Sequence, residues 1–385
     1  MIRIGGANPT LTAMIALGIV NHVVLTGNRI SVSLEALHLG ASAAVVGALL
    51  ALYAFLPMLS AVAVGRLSDR MGVRKPMMVG SVILVAGSAL PALVPGLTAL
   101  FVSASIVGIG FMLFQVPAQN ATGELGEPAD RTHNFSQLAL GYSISGFVGP
   151  LVAGFTIDHG GFTVTFALLA VLPLVPLGVL AGGWLKLPGP HPARLPGRGG
   201  GGVLELLRHK TLRRVFIINT LLAMAWDLHT IVIPVYGASL GLSASQIGVI
   251  LASFAGATFV VRFLLRWVVR RVSEQQVLTT ALFAAGVVYL MFPFAHTAPT
   301  LMALSFSLGM GLGMSQPMVM SLLHSHAPPG RMGEAAGVRM SLVQTMSVCV
   351  PLAFGALGAT IGLTPVFWSV GVCLATGGWL TKRAV

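Results

Sequence analysis

Apolar residues run along this 385-residue chain in long blocks, and polar residues gather in the short intervals between them. Each block is about 20 residues long, enough for a helix to cross roughly 30 Å of hydrocarbon; barrel strands would be about 10 residues long and would alternate. The pattern predicts twelve spans, near 11–32, 43–64, 76–95, 98–120, 135–157, 162–185, 212–235, 243–265, 276–294, 299–323, 336–358 and 364–381. The block that begins after Arg3 has no small-residue cleavage pattern before the next span, so it reads as a retained helix. The expected fold class is an all-α membrane protein with twelve transmembrane helices in two pseudo-symmetric six-helix bundles. Its parts are an N-terminal bundle over 1–185, a Pro/Gly-rich cytoplasmic linker over 186–210 and a C-terminal bundle over 211–385. Residues 203–214, "VLELLRHKTLRR", read as a short amphipathic helix lying on the membrane surface before the seventh span.

The two halves repeat one another. Leu39 to Ala51 aligns with Leu240 to Ala252 with seven identities in 13 positions at an offset of 201. Gly108, Gly110 and Gln115 pair with Gly309, Gly311 and Gln316 at the same offset, and Pro150 pairs with Pro351. Arg66, Arg70 and Arg131 pair with Arg266, Arg270 and Arg331 at 200. Duplicated halves imply a substrate site between them near the midplane, with one half rocking against the other.

Composition agrees with a bilayer: 55% of residues are apolar and 8% charged, where soluble domains carry about 25% charge. The net charge of +12 would suit nucleic acid, but 21 of the 22 Lys and Arg fall in or beside loops on one side of the twelve-span layout. That is the positive-inside pattern, so it excludes a nucleic-acid partner and places both termini in the cytoplasm. Cys349 and Cys373 fall within spans and read as ordinary buried thiols. No nucleotide loop or hydrolytic acid pair is present, so the chain reads as no enzyme, with no cofactor and no resident metal.

Charge is unusually dense in residues 65–75, "GRLSDRMGVRK". Gly65, Leu67, Asp69, Arg70, Gly72, Arg74 and Lys75 match the loop motif between the second and third helices of the major facilitator superfamily, which the whole chain resembles. The resemblance implies a conformational latch, with Asp69 facing the start of the eleventh span near 333–339, where helix N-terminal amides attract a carboxylate. Gly146, Gly149, Pro150 and Gly154 resemble the glycine-proline helix-packing motif of proton-driven exporters, which points to the twelve-helix bacterial drug/proton antiporter-like branch. One departure stands against that: the arginine such exporters carry early in the fourth helix is Ala104 here. The resemblance further implies the bacterial inner membrane, a small-molecule substrate, protons and membrane lipid as partners, and a monomer.

Charge within a span costs at least about 2.5 kcal/mol and marks function. Arg29 in the first span and Asp227 with His229 in the seventh are the candidates, together with His22. The repeat maps Arg29 onto His229, so the two are expected to face each other across the pseudo-two-fold axis, with Asp227 nearby carrying the proton. Alternatively, Arg29 snorkels and pairs with Glu35 or Asp158. Asn21, Tyr53, Gln115, Gln137, Asn219, Trp226, Gln316 and Gln344 are the further cavity candidates. The function expected is secondary transport, as a proton-coupled exporter of small amphipathic compounds. Organic-anion transport through Arg29 is the alternative. A Cu(I) path along Met310, Met314 and Met318, joined by Met112 or His22, is a third reading.

Overall fold

A computed structural model describes residues 8–125, 131–189, 203–268, 273–326 and 332–382. The apolar blocks form helices because lipid leaves each backbone polar group to be satisfied within its own segment. In chain order they are α1 (Pro9–His38), α2 (Ala43–Met71), α3 (Arg74–Leu93), α4 (Leu97–Glu124), α5 (Arg131–Val171), α6 (Leu174–Ala181) and α7 (Val203–Arg208). There follow α8 (Lys210–Ser239), α9 (Ala244–Val268), α10 (Glu274–Met291), α11 (Ala298–Gly313), α12 (Ser315–His326), α13 (Met332–Ile361) and α14 (Leu363–Lys382). The chain is a multi-pass all-α membrane protein.

The expected twelve clean spans in two six-helix bundles need correction: among the described residues, nine helices are long and apolar enough to cross a membrane. The expected fifth and sixth spans run as one helical stretch, bent where Gly161 takes φ 76° and ψ 177°; α6 follows as a short piece after Pro173. The expected tenth span is broken between α11 and α12. Pro317 explains that break, since a proline withdraws its N–H from the carbonyl four residues back, here Gly313. Arg262 Nε donates to that Gly313 oxygen at 3.3 Å. The surface segment is also shorter than expected: α7 stops at Arg208, and Lys210 to Arg214 begin α8.

Nor are the halves separate bundles. α5 lies along α9 and α2 lies along α13, so each half is stitched to the other by a long seam. Both seams depend on glycine. A Cβ on Gly47 would overlap the Pro351 carbonyl oxygen, and one on Gly248 would overlap that of Pro150. A Cβ on Gly355 would lie 2.8 Å from Ala43 O, and one on Gly154 would overlap Ala244 O. These contacts pair at the 201-residue offset, so the repeat read in the sequence surfaces as two matching interfaces. Gly149 instead faces Thr26 of α1, and Gly146 approaches Ala255 of α9. Cys349 and Cys373 are exposed and are not the buried thiols expected.

Candidate functional site

Asp227 sits on α8, half-buried. Its Oδ2 accepts from Ser347 Oγ of α13 at 2.6 Å, and the Asp227 backbone oxygen accepts from Thr230 Oγ1. Arg29 of α1 is also half-buried, and its charge acts on Asp227, His22 and Tyr53. Among the described residues no hydrogen bond or ion pair engages the Arg29 guanidinium, so cation and acid share a field without touching. Separately, Ala51, Leu52, Phe55, Phe101, Val348 and Leu352 line an open apolar cleft of about 300 Å³ between α2, α4 and α13, and neither Asp227 nor Arg29 is part of its lining. Leu52 and Val348 directly adjoin Tyr53 and Ser347 in sequence.

His229 does not oppose Arg29. It is 1% exposed, its ring stacks on Phe254 with centroids 4.4 Å apart, and its Nε2 bonds Ser305 Oγ at 3.0 Å. Two residues along a helix turn the side chain by about 200°, so Asp227 and His229 cannot share the axial face. His22 bonds Ser145 Oγ of α5 through Nδ1 at 2.5 Å and lies between the rings of Phe111 and Tyr142. Tyr142 in turn reaches Gln115 and Gln119, which extends this polar group to α4.

Two other expected cavity residues are in a packed seam. Asn21 Nδ2 donates to Ser81 Oγ at 3.1 Å, and Asn28 Nδ2 donates to Ser88 Oγ at 3.2 Å. Tyr53 Oη donates to Asn28 Oδ1 at 2.6 Å, so α1, α2 and α3 are pinned together. Asn219 is buried with Nδ2 lacking a partner. Trp226 meets Phe254 edge-on at 4.7 Å, Gln137 and Gln344 are half-buried, and Gln316 is exposed. Met310 lies on α11 and Met318 on α12, with Met314 at the break, so the expected thioether stripe has no continuous helix face. Met112 instead accepts from Ser60 Oγ.

Of the charged 65–75 loop, Gly72 ends α2 with φ 75°, a conformation glycine adopts without strain. Arg74 donates to the backbone oxygens of Gly183 and Leu185, tying α3 to the chain just beyond α6; Gly65 is half-buried and Arg70 exposed. The Asp69 and Glu334 side chains and the surroundings of Gly333 lie outside the described residues, and so does the expected latch contact.

Sequence reasoning missed two clasps along the α5/α9 seam. At the end where α9 begins, Asp158 Oδ1 accepts from Ala244 N at 3.0 Å and Oδ2 from Ser245 N at 2.8 Å, one half capping a helix of the other. Asp158 is thereby committed, and the expected Arg29–Asp158 pair does not form. At the basic end, Arg262 Nη1 of α9 donates to Ala139 O at 3.0 Å and Ser143 Oγ at 2.5 Å of α5. An acid four residues past Gly154, facing an "SAS" helix start, is the only signal the sequence offered for the first.

Asp158→Ala should loosen the α9 end, because a carboxylate at a helix N-terminus contributes up to about 1 kcal/mol through the dipole alone. Disulfide formation between cysteines placed by His159→Cys and Gln246→Cys, with Cys349 and Cys373 replaced by serine, should slow about fivefold in the variant. An unchanged rate would mean the clasp is incidental.

Residues 10–351 match the family model described as Major Facilitator Superfamily. A relative, the class G tetracycline resistance protein of Vibrio anguillarum, is 25% identical over 347 residues, covering 85% of this chain and 84% of that protein. Among solved structures, a POT peptide transporter variant with sulfate superimposes with TM-score 0.81 at 16% identity, covering 97% and 93% of the two chains. A POT family transporter with a thioalcohol-conjugated peptide gives 0.82 at 14%, covering 97% and 95%. These structures overturn the expected assignment to the drug/proton antiporter-like branch: the superfamily stands, but the folds it superimposes on are those of peptide transporters.

Proposed function

The chain belongs to the Major Facilitator Superfamily, and from that premise we propose that this secondary transporter couples proton movement to export of a small amphipathic organic compound. The observation that carries the reading is the Asp227 carboxylate, held by one hydroxyl on α13 and within the field of an otherwise unpartnered Arg29 on α1. Asp227 and Ser347 are on helices of the second half and Arg29 on the first, so relative motion of the halves alters the spacing of cation and acid. Drawing a cation away from a carboxylate favours proton uptake, and its return favours release. Arg29 and Asp227 are therefore the coupling pair, and His229 is packing. The apolar cleft between α2, α4 and α13 suits the hydrocarbon part of an amphipathic solute. Outward direction is supported by the relative whose name records tetracycline resistance.

On this reading the basic end faces the cytoplasm of a bacterial cell, and Asp158 clasps the outer end of the α5/α9 seam. Outward opening requires that clasp to part. A second reading, transport of an organic anion, is favoured by one observation: the Arg29 guanidinium has donors to spare.

A thermal-stability screen of the purified chain separates the two. Organic cations that stabilise the protein, with the shift lost in Asp227→Asn, support the first reading. Stabilisation by carboxylates that is lost in Arg29→Ala supports the second. No shift with either class, in a protein that folds, would contradict a charged-solute site at this pair.

A further inference from the structure

One acid in the first half belongs to neither the coupling pair nor a clasp. Glu35 lies near the C-terminal end of α1, is 7% exposed, and its Oε2 has no hydrogen-bond partner. Seven residues carry an α-helix almost two full turns, so Asn21, Asn28 and Glu35 stand in one row along α1. The first two members of that row meet Ser81 and Ser88 of α3, also seven apart, and Tyr53 of α2 closes on Asn28. Glu35 continues this polar seam to the end of the helix remote from the basic loops.

Among the described residues nothing opposite Glu35 supplies a counter-charge. Of the helices packed against α1, α2 has no ionisable residue between Ala43 and Gly65 except Tyr53; α3 has none after Lys75, α4 none before Glu124, and α6 none. On α5, Asp158 is spent on the amides of α9 and His159 bonds Phe155 O, while Tyr142 lies deeper. On α8, Asp227 is held by Ser347, His229 by Ser305, and Tyr236 donates to Pro293 O and Ala295 O. On α1 itself, Arg29 forms no ion pair with Glu35, and the His38 ring packs on Phe162. A buried carboxylate without a partner is costly, and a proton removes that cost.

We infer that Glu35 is a second proton-binding carboxyl, at the end of the α1/α2/α3 polar seam remote from the basic loops and separate from Asp227. The inference deepens the proton-coupled reading and rests on it for its purpose. Glu35 would hold its proton while buried in the seam and release it when that end of the seam is hydrated.

The test uses the full chain in lipid nanodiscs and dicyclohexylcarbodiimide, an apolar reagent to which a carboxyl adds only while it holds its proton. After labelling between pH 6 and 9, mass spectrometry of the digest should show the adduct on the peptide containing Glu35, with yield falling about tenfold per pH unit above the midpoint. Labelling should persist in Asp227→Asn and Glu35→Asp and vanish in Glu35→Gln. A Glu35 peptide recovered unmodified at every pH overturns the proposal, because the group would then be a carboxylate with an unseen partner. Labelling that does not vary with pH overturns it too, since the carboxyl would be permanently neutral and structural. The readout involves no flux, so failure of coupling at Asp227 and failure at Glu35 are told apart.

Discussion

Asp227→Asn is expected to abolish accumulation driven by a pH gradient in proteoliposomes, by a factor of about 100 or more, since it removes the titrating acid of the coupling pair rather than weakening a contact. The amide still accepts from Ser347 Oγ, so the α8–α13 contact survives and the protein should insert and fold as before. Exchange of solute for solute without a gradient, which needs the path but not the proton, should therefore persist. That split is what distinguishes loss of coupling from loss of structure. Arg29→Ala should act differently: it leaves Asp227 without its nearby cation and should shift the pH at which accumulation is half-maximal upward.

The second large effect is steric. Gly47→Val or Gly248→Val should arrest transport, because each would force a side chain into the carbonyl oxygen of a proline on the facing helix of the other half. Overpacking of this kind costs about 1–3 kcal/mol where the neighbour cannot move, and a backbone oxygen cannot swing aside as a side chain can. Because both seams bridge the halves, the strain falls on the conformation in which they close, and the equilibrium should move toward the opened form by about tenfold or more. Gly40→Ala is the control: Gly40 lies in the loop between α1 and α2 with open space around it, and any cost there comes from its φ of 79° alone. Cysteine accessibility at the α9 end of the seam would show the shift. Unchanged accessibility with full transport in Gly47→Val would remove the seam from the mechanism.

How much of this was legible follows from what an apolar sequence can encode. Span positions come from hydropathy and are set by the bilayer, so α3 and α4 begin and end within a few residues of their expected bounds, whereas α2 begins where expected and runs on past 64 to Met71. The 201-residue repeat was visible as sequence identity and reappears as the paired contacts Gly47–Pro351 and Gly248–Pro150. Rotation about the helix axis was not legible. In α8 both faces are apolar, so no stripe tells which side meets the axis, and Asp227 and His229 looked alike until their partners Ser347 and Ser305 placed them on different faces. Asn21 and Tyr53 looked like cavity residues because Ser81 and Asn28, which they bond, are ordinary residues in any sequence. The broken tenth span had a signal, Pro317, but proline is tolerated in membrane helices often enough that the break at Met314 did not follow from it. The Asp158 clasp depends on where a neighbouring helix starts, which only the packed halves define.

The central claim is that the carboxyl of Asp227 exchanges a proton as solute moves past Arg29. It is tested most directly by loading proteoliposomes with a pH-sensitive dye and adding a compound that stabilised the protein in the thermal screen. The account predicts a solute-evoked pH change in the wild-type chain and none in Asp227→Asn, at equal protein incorporation. The same pH change in Asp227→Asn, or solute movement through the wild-type chain with no pH change, would contradict it.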